Sequence, residues 1–121
     1  MEKLSVVVPC FNEEQTIKPF IAAMSNIEES FSEELEFEYL FVNDGSSDKT
    51  LEVLKIESQL KNNIKYLSFS RNFGKESALL AGVENVTGEY VTVMDVDLQD
   101  PPDLLPKMYH KLKEGYDIVG T

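Results

Sequence analysis

Apolar and polar positions along this chain fall into short, regularly spaced blocks. Leu4 to Val8, with three consecutive valines, predicts a strand buried on both faces. Pro9 is expected to end it. Asn12 fits a helix N-cap with Gln15 three residues on, and Glu13 and Glu14 favour the positive end of that helix. Ile17, Phe20, Ile21, Met24 and Ile27 follow at helical spacing as one apolar stripe. Phe37 to Val42 predicts a second strand, which stops at Asn43-Asp44-Gly45-Ser46-Ser47-Asp48. Gly45 supplies a turn there, and Ser46, Ser47 or Asp48 caps a helix through about Leu60. Asn62-Asn63 is a loop, and Ile64 to Phe69 a third strand. After Ser70 to Glu76, a small-residue helix is expected over Ser77 to Val86. Tyr90 to Val96 is the fourth strand. Leu104, Leu105, Met108, Tyr109 and Leu112 predict an amphipathic helix that stops at Gly115, before a fifth strand opens at Asp117.

Strand and helix alternate four times, the signature of a parallel sheet with helices on both faces. The expected class is α/β: a Rossmann-like, mostly parallel sheet with helices on both faces. Each of the first four strands ends in a polar cluster, so four loops gather on one rim. The chain stops just inside a strand with no helix to cover it. Residues 1–121 are therefore expected to be the amino-terminal portion of something longer, truncated before the fold is complete.

Composition narrows the partners. The 121 residues suffice for one domain, and the apolar share of 42% and charged share of 27% suit a soluble globular chain. A net charge of −11 argues against nucleic acid, and against this part of the chain lying on an anionic membrane. The six glutamates from Glu28 to Glu38, with no base among them, read as a solvated helix end and loop. Cys10 is the single cysteine, so no disulfide forms, a reducing compartment is expected, and the thiol reads as a small buried hydrophobe. No signal peptide is present, and no apolar run approaches the ~20 residues of a membrane span.

The richest chemistry lies at Val91 to Pro102, where an apolar strand breaks into Asp95, Asp97, Gln99 and Asp100 before two prolines. Open α/β sheets place ligands at the carboxyl ends of their strands. Side chains two apart share a face of a strand, so Asp95 and Asp97 should converge. Two carboxylates ~4 Å apart repel by ~4 kcal/mol at an effective dielectric of about 20, so a cation between them is expected. A hard divalent ion holding a phosphate answers that need. The alternative is a helix N-terminus dressed with acids, capped by Asp100 or Asp103. No dinucleotide fingerprint follows the first strand, and Gly74-Lys75-Glu76 lacks the rest of a phosphate loop. Asp44, Asp95 and Asp97 with a metal, and Arg71 and Lys75 as the cations nearby, suit a diphosphate.

Four motifs in order, VVPCFNE (Val7 to Glu13), NDGSSD (Asn43 to Asp48), RNFGKE (Arg71 to Glu76) and DVDLQDPP (Asp95 to Pro102), resemble the family 2 inverting glycosyltransferases of GT-A fold. The resemblance is closest to bacterial bactoprenol glucosyltransferases and extends to dolichol-phosphate mannose synthases. It implies transfer of a sugar, glucose by that likeness, from a UDP-sugar donor to a polyprenyl phosphate, with inversion and with Mg²⁺ or Mn²⁺ as cofactor. It also implies that Pro9, Phe11 and Glu13 line the uridine pocket and that Asp44 accepts from the base's imide N–H, unless Asp44 merely caps its turn. Asp95 would face the ribose or metal, Asp97 and Gln99 would hold the metal against the diphosphate, and Arg71 and Lys75 would lie near phosphates. His110 reads as a surface residue.

A lipid phosphate acceptor is already mostly ionised near neutral pH, so no dedicated base is needed. Family members continue into acceptor-binding and membrane-associated regions. The whole protein is thus expected at the cytoplasmic side of the membrane, with this portion itself soluble and open to self-association. A non-catalytic nucleotide-binding module and a sugar nucleotidyltransferase are the competing readings.

Overall fold

The computed structural model of the chain describes residues 2–30, 35–96 and 118–120. In chain order its elements are β1 (Glu2–Cys10), α1 (Ile17–Ser30), β2 (Leu35–Asn43), α2 (Thr50–Leu60), β3 (Ile64–Ser68), α3 (Lys75–Glu84), β4 (Tyr90–Val93) and β5 (Ile118–Gly120). The strands form one sheet in the order β3-β2-β1-β4-β5, and each adjacent pair is parallel. The α/β class and the parallel sheet match expectation.

Parallel neighbours require a crossover, and crossovers are right-handed. The chain steps outward from β1 to β2 to β3, then returns past both to place β4 on the other side of β1. That reversal puts α3 on the face opposite α1 and α2. The two cores agree. Ile17, Phe20 and Met24 of α1 and Leu54 of α2 pack on Leu4, Val6, Val8, Phe37 and Phe41. Ala78 of α3 packs on Val7, Leu40 and Val42. Successive valines of β1 therefore point into different cores, which explains why the run is apolar without alternation.

Several boundaries differ from the sequence expectation, each for a local reason. Pro9 does not end β1, which continues to Cys10 with Pro9 in register with Val42. Val7 O accepts from Met94 N at 3.1 Å, and Cys10 O accepts from Asp44 N at 2.8 Å. Alternate residues of a parallel strand bond to opposite neighbours, so the N–H that Pro9 lacks would face β4 beyond the Val7–Val93 pair, where that ladder ends. Asn12 does not cap α1, which starts four residues later than that reading allows. Thr16 takes the place before the first turn, its carbonyl accepting from Phe20 N at 3.1 Å. The third helix spans Lys75–Glu84 rather than Ser77 to Val86, because Gly74 at φ +102° breaks the chain just before it.

Glu38 corrects the reading of the glutamate run as solvated. It is buried at the amino end of the sheet, where Ser5 Oγ donates to it at 2.5 Å, Thr87 N–H at 3.2 Å and Lys65 Nζ at 3.3 Å. Burial alone would raise its pKa, but these donors outweigh that and hold the carboxyl below its ordinary value. The expected helix over residues 104–112 lies outside the described residues, as do Asp100, Asp103 and His110.

Candidate functional site

Where strand order reverses, the loops leaving adjacent strands turn opposite ways and leave a crevice between them. Here that point lies between β1 and β4. A cleft of about 270 Å³ opens at their carboxyl ends, and its walls include Pro9, Phe11, Glu13, Asp44, Lys75 and Asp95. These residues come from four separate loops that the parallel sheet brings to one rim. Cys10, Ala78 and Val96 complete the wall with apolar surface. Burial, then the charge of Glu13, pushes the Cys10 thiol up, so it stays protonated and serves as a small apolar group. Phe11 presents an exposed ring, 48% accessible, at the cleft.

The loop after β1 is held by the loop after β2. Three successive backbone N–H groups, of Asn12, Glu13 and Glu14, donate to Ser46 Oγ at 2.9 Å, Thr50 Oγ1 at 2.8 Å and Asp48 Oδ2 at 3.2 Å. Asn12 returns the contact through Oδ1, which accepts from Ser47 N at 2.8 Å. To do so it adopts φ +54°, a left-handed conformation that asparagine tolerates better than most residues. Asp48 also accepts from Thr50 N at 2.9 Å, but the cap of α2 is Lys49, which makes no side-chain capping bond, so none of Ser46, Ser47 and Asp48 occupies the expected cap position. Partial burial opposes ionisation of Asp48, yet the hydroxyl and backbone donors around it hold the carboxyl below its ordinary range. Sequence reasoning took Ser46 as one candidate helix cap and gave Thr50 no separate role. Their service to the first loop depends on a long-range pairing that no local pattern signals.

Asp44 directly follows β2 and is buried. Its Oδ1 accepts from Phe73 N at 2.8 Å and its Oδ2 from Gly74 N at 3.1 Å. Gly45 beside it sits at φ +69°, and a Cβ there would meet the Arg71 carbonyl carbon at 2.1 Å. Backbone therefore packs on backbone between the second and third loops, which requires glycine.

Asp95 follows β4 on the α3 side of the sheet, and Lys75 Nζ, from the first residue of α3, lies 3.2 Å from its Oδ1. Among the described residues Lys75 is the cation paired with Asp95. Arg71 is not among the residues lining the cleft. Its guanidinium lies 4.8 Å from the centre of the Phe73 ring, a cation–π contact on an exposed surface. Among the described residues no group of three or more His, Cys, Asp and Glu is arranged to hold a metal ion. Asp95 brings a carboxylate of the kind a hard divalent ion takes to the edge of the cleft. Asp97 and Gln99 lie outside the described residues.

Against this geometry stand the known relatives. A family model described as Glycosyl transferase family 2 matches residues 5–121. The uncharacterized glycosyltransferase YkcC of Bacillus subtilis (strain 168) is 42% identical over 115 residues, covering 95% of this chain and 35% of that protein. The structure of S. aureus TarS 1-349 in complex with UDP-GlcNAc is 26% identical with a TM-score of 0.69, over 93% of this chain and 31% of that one. Glucosyl-3-phosphoglycerate synthase from Mycobacterium tuberculosis, solved with Mn²⁺, UDP and glucosyl-3-phosphoglycerate, is 27% identical with a TM-score of 0.67, over 92% of this chain and 39% of that one. The chain spans about a third of the length of these proteins.

Proposed function

The chain belongs to glycosyl transferase family 2, with the GT-A fold, and from that premise we propose that it forms the donor-binding portion of a metal-dependent inverting glycosyltransferase. In this reading the intact protein takes a UDP-sugar, UDP-glucose foremost, and passes the sugar to a polyprenyl phosphate at the cytoplasmic face of the membrane. The observation that carries it is the cleft itself. Pro9, Phe11, Glu13, Asp44, Lys75 and Asp95, singled out by sequence for a nucleotide diphosphate, line one crevice at the strand-order reversal. The complexes of TarS with UDP-GlcNAc and of the phosphoglycerate synthase with UDP and Mn²⁺ support a nucleotide-sugar donor and a divalent ion.

The roles follow from placement. Pro9, Phe11 and Glu13 form the wall against which the uracil and ribose lie. Asp95, with Asp97 and Gln99, would hold Mg²⁺ or Mn²⁺, whose charge would offset that of the departing diphosphate. Lys75, already at hydrogen-bond distance from Asp95, is a second positive charge for the same phosphates. Arg71 reaches a phosphate by leaving the Phe73 ring, which costs a surface contact of about 0.5–1 kcal/mol.

The acceptor class rests on the protonation chemistry. Each described carboxylate lining the cleft already accepts from the chain: Glu13 from Thr16 Oγ1, Asp44 from Phe73 and Gly74, and Asp95 from Lys75. A sugar hydroxyl needs a base to become nucleophilic, whereas a phosphate arrives ionised. In this reading a phosphate oxygen is the nucleophile, attacking the anomeric carbon opposite the leaving diphosphate. Among the described residues no helix is long and apolar enough to cross a membrane.

The test is transfer of radiolabel from UDP-glucose to polyprenyl phosphate by the intact protein in detergent with Mn²⁺. A labelled, acid-labile glycolipid is expected. Label moving to a hydroxyl acceptor, with none on the lipid phosphate, would overturn the acceptor assignment.

A further inference from the structure

We infer that Asp48 and Thr50 are positioning residues for the nucleoside end of the cleft: Asp48 orients the Thr50 hydroxyl, which accepts the Glu13 N–H and so fixes residues 11–13 in the shape that walls the cleft. The inference rests on the reading of the cleft as a nucleotide site, and it names residues outside the lining that shape it.

The direction of each hydrogen bond follows from counting protons. An ionised carboxylate only accepts, and the Asp48 carboxyl lies below its ordinary range. Thr50 Oγ1, 2.5 Å from Asp48 Oδ1, therefore commits its single proton there. Its remaining capacity is as an acceptor, and Glu13 N lies 2.8 Å away. Thr50 is fully buried, so losing its hydroxyl leaves the Glu13 N–H without a ready replacement. Asp48 Oδ2 accepts from Glu14 N at 3.2 Å, and Ser46 Oγ from Asn12 N at 2.9 Å. The N–H groups of Asn12, Glu13 and Glu14 are thus all taken by residues 46–50. The carbonyls of the first loop are held elsewhere: Cys10 O accepts from Asp44 N at 2.8 Å, and Glu13 O from Thr16 N at 3.0 Å. Those bonds tie the loop down at two points, and the clamp sets its shape between them.

Two features show that this shape is imposed by the surroundings. Asn12 sits at φ +54°, a sparsely populated conformation that persists where neighbouring structure holds it. Beside it Phe11 presents a half-exposed ring to the cleft, so the ring's direction depends more on its backbone than a buried ring's would. Neither Asp48 nor Thr50 is among the described residues lining the cleft, whereas Phe11 and Glu13 both are. Any effect of the pair on a ligand therefore passes through the first loop. Loosening the clamp should weaken binding of the nucleoside and spare the metal–diphosphate end, where Lys75 and Asp95 stand on other loops. General damage to the fold would weaken both.

The experiment takes the intact parent, Thr50→Val, Thr50→Ser and Asp48→Asn. Each is titrated by calorimetry with UDP, with uridine, and with pyrophosphate in Mn²⁺. Amide hydrogen exchange is followed by mass spectrometry in a peptide covering residues 10–16. Thr50→Val keeps the side-chain shape without the hydroxyl, and Asp48→Asn turns an amide nitrogen toward donors. Both should lose roughly tenfold in affinity for UDP and for uridine, with little change for pyrophosphate and faster exchange in 10–16. Thr50→Ser, which restores the hydroxyl, should recover most of the loss. Unchanged UDP affinity, an equal loss for pyrophosphate, unchanged exchange in 10–16, or a Thr50→Ser variant as weak as Thr50→Val would each overturn the inference. Should Thr50→Val and Asp48→Asn fail to fold, Ser46→Ala carries the same expectations and contradictions for UDP, pyrophosphate and exchange. It removes the acceptor of Asn12 N from a partly exposed position. If the parent binds neither UDP nor uridine, the nucleotide reading fails. Exchange in residues 10–16 then decides the clamp by itself: faster in the variants supports it, unchanged refutes it.

Discussion

Asp95, just past the carboxyl end of β4, and Glu38, within β2 toward the amino side of the sheet, are acidic residues that face different physics. Asp95 stands at the carboxyl rim beside one lysine, partly open to solvent. Asp95→Asn keeps its shape but removes the charge that a hard cation needs, so UDP binding in saturating Mn²⁺ should weaken at least tenfold, or ~1.4 kcal/mol. Calorimetry checks it, and equal affinity of variant and parent would contradict the metal assignment. Glu38 is buried among Ser5, Thr87 and Lys65. Its loss in Glu38→Gln should cost about 2–3 kcal/mol at neutral pH, because hydrogen bonds to a charged group are being weakened. Its folded pKa lies below the ordinary value of 4.5. The stabilisation is therefore complete above that value and is lost as pH falls through the lower folded pKa. Urea unfolding at pH 7 and at about pH 3 should show the gap between parent and variant closing in acid. A gap that stays constant would contradict a charged, hydrogen-bonded Glu38. The sequence did not reveal this residue because five other glutamates surround it, and burial of one among six depends on its strand partner Ser5.

Among the elements, α3 shows how much side-chain pattern can and cannot say. Its small residues were legible as a helix, but its start was not, since Gly74 and its Asp44 anchor are a contact between residues 30 apart in sequence. The small residues serve packing. A Cβ on Gly82 would come within 2.4 Å of Val7 Cγ1, the side chain of a stiff, fully buried valine on β1. Gly82→Ala gains about 1 kcal/mol of helix propensity. The steric cost of overpacking, typically about 1–3 kcal/mol, should exceed it, so the melting temperature should fall. A rise would show that α3 can lift off the sheet freely. In the loop before α1, local preference was misleading. Asn12 carries a good capping side chain, but its oxygen bonds Ser47 N in the neighbouring loop, and the helix begins beyond Thr16. Pro9 was read as a stop because proline cannot donate, but among the described residues the β1–β4 ladder ends at the Val7–Val93 pair, before the missing N–H would be needed.

For the molecule as a whole, the alternation of apolar runs with amphipathic stripes was enough to predict a parallel α/β sheet, and handed crossovers then leave few ways to wind it. The position of the reversal was not legible, because nothing in β4 itself says that it pairs with β1 rather than β3. Yet the reversal makes the cleft. It sets the ends of β1 and β4 side by side and brings Phe11, Asp44, Lys75 and Asp95 from separate loops to one crevice. The central claim is that this crevice binds a UDP-sugar through a divalent ion. Its most direct test is calorimetric titration of the intact protein with UDP-glucose, with GDP-mannose and ADP-glucose alongside, in Mn²⁺ and again after chelation. The account predicts that UDP-glucose binds at least tenfold more tightly than the other two, a difference of ~1.4 kcal/mol or more, and that chelation removes most of its affinity. Equal affinity for the three donors, or binding of UDP-glucose unchanged by chelation, would contradict it.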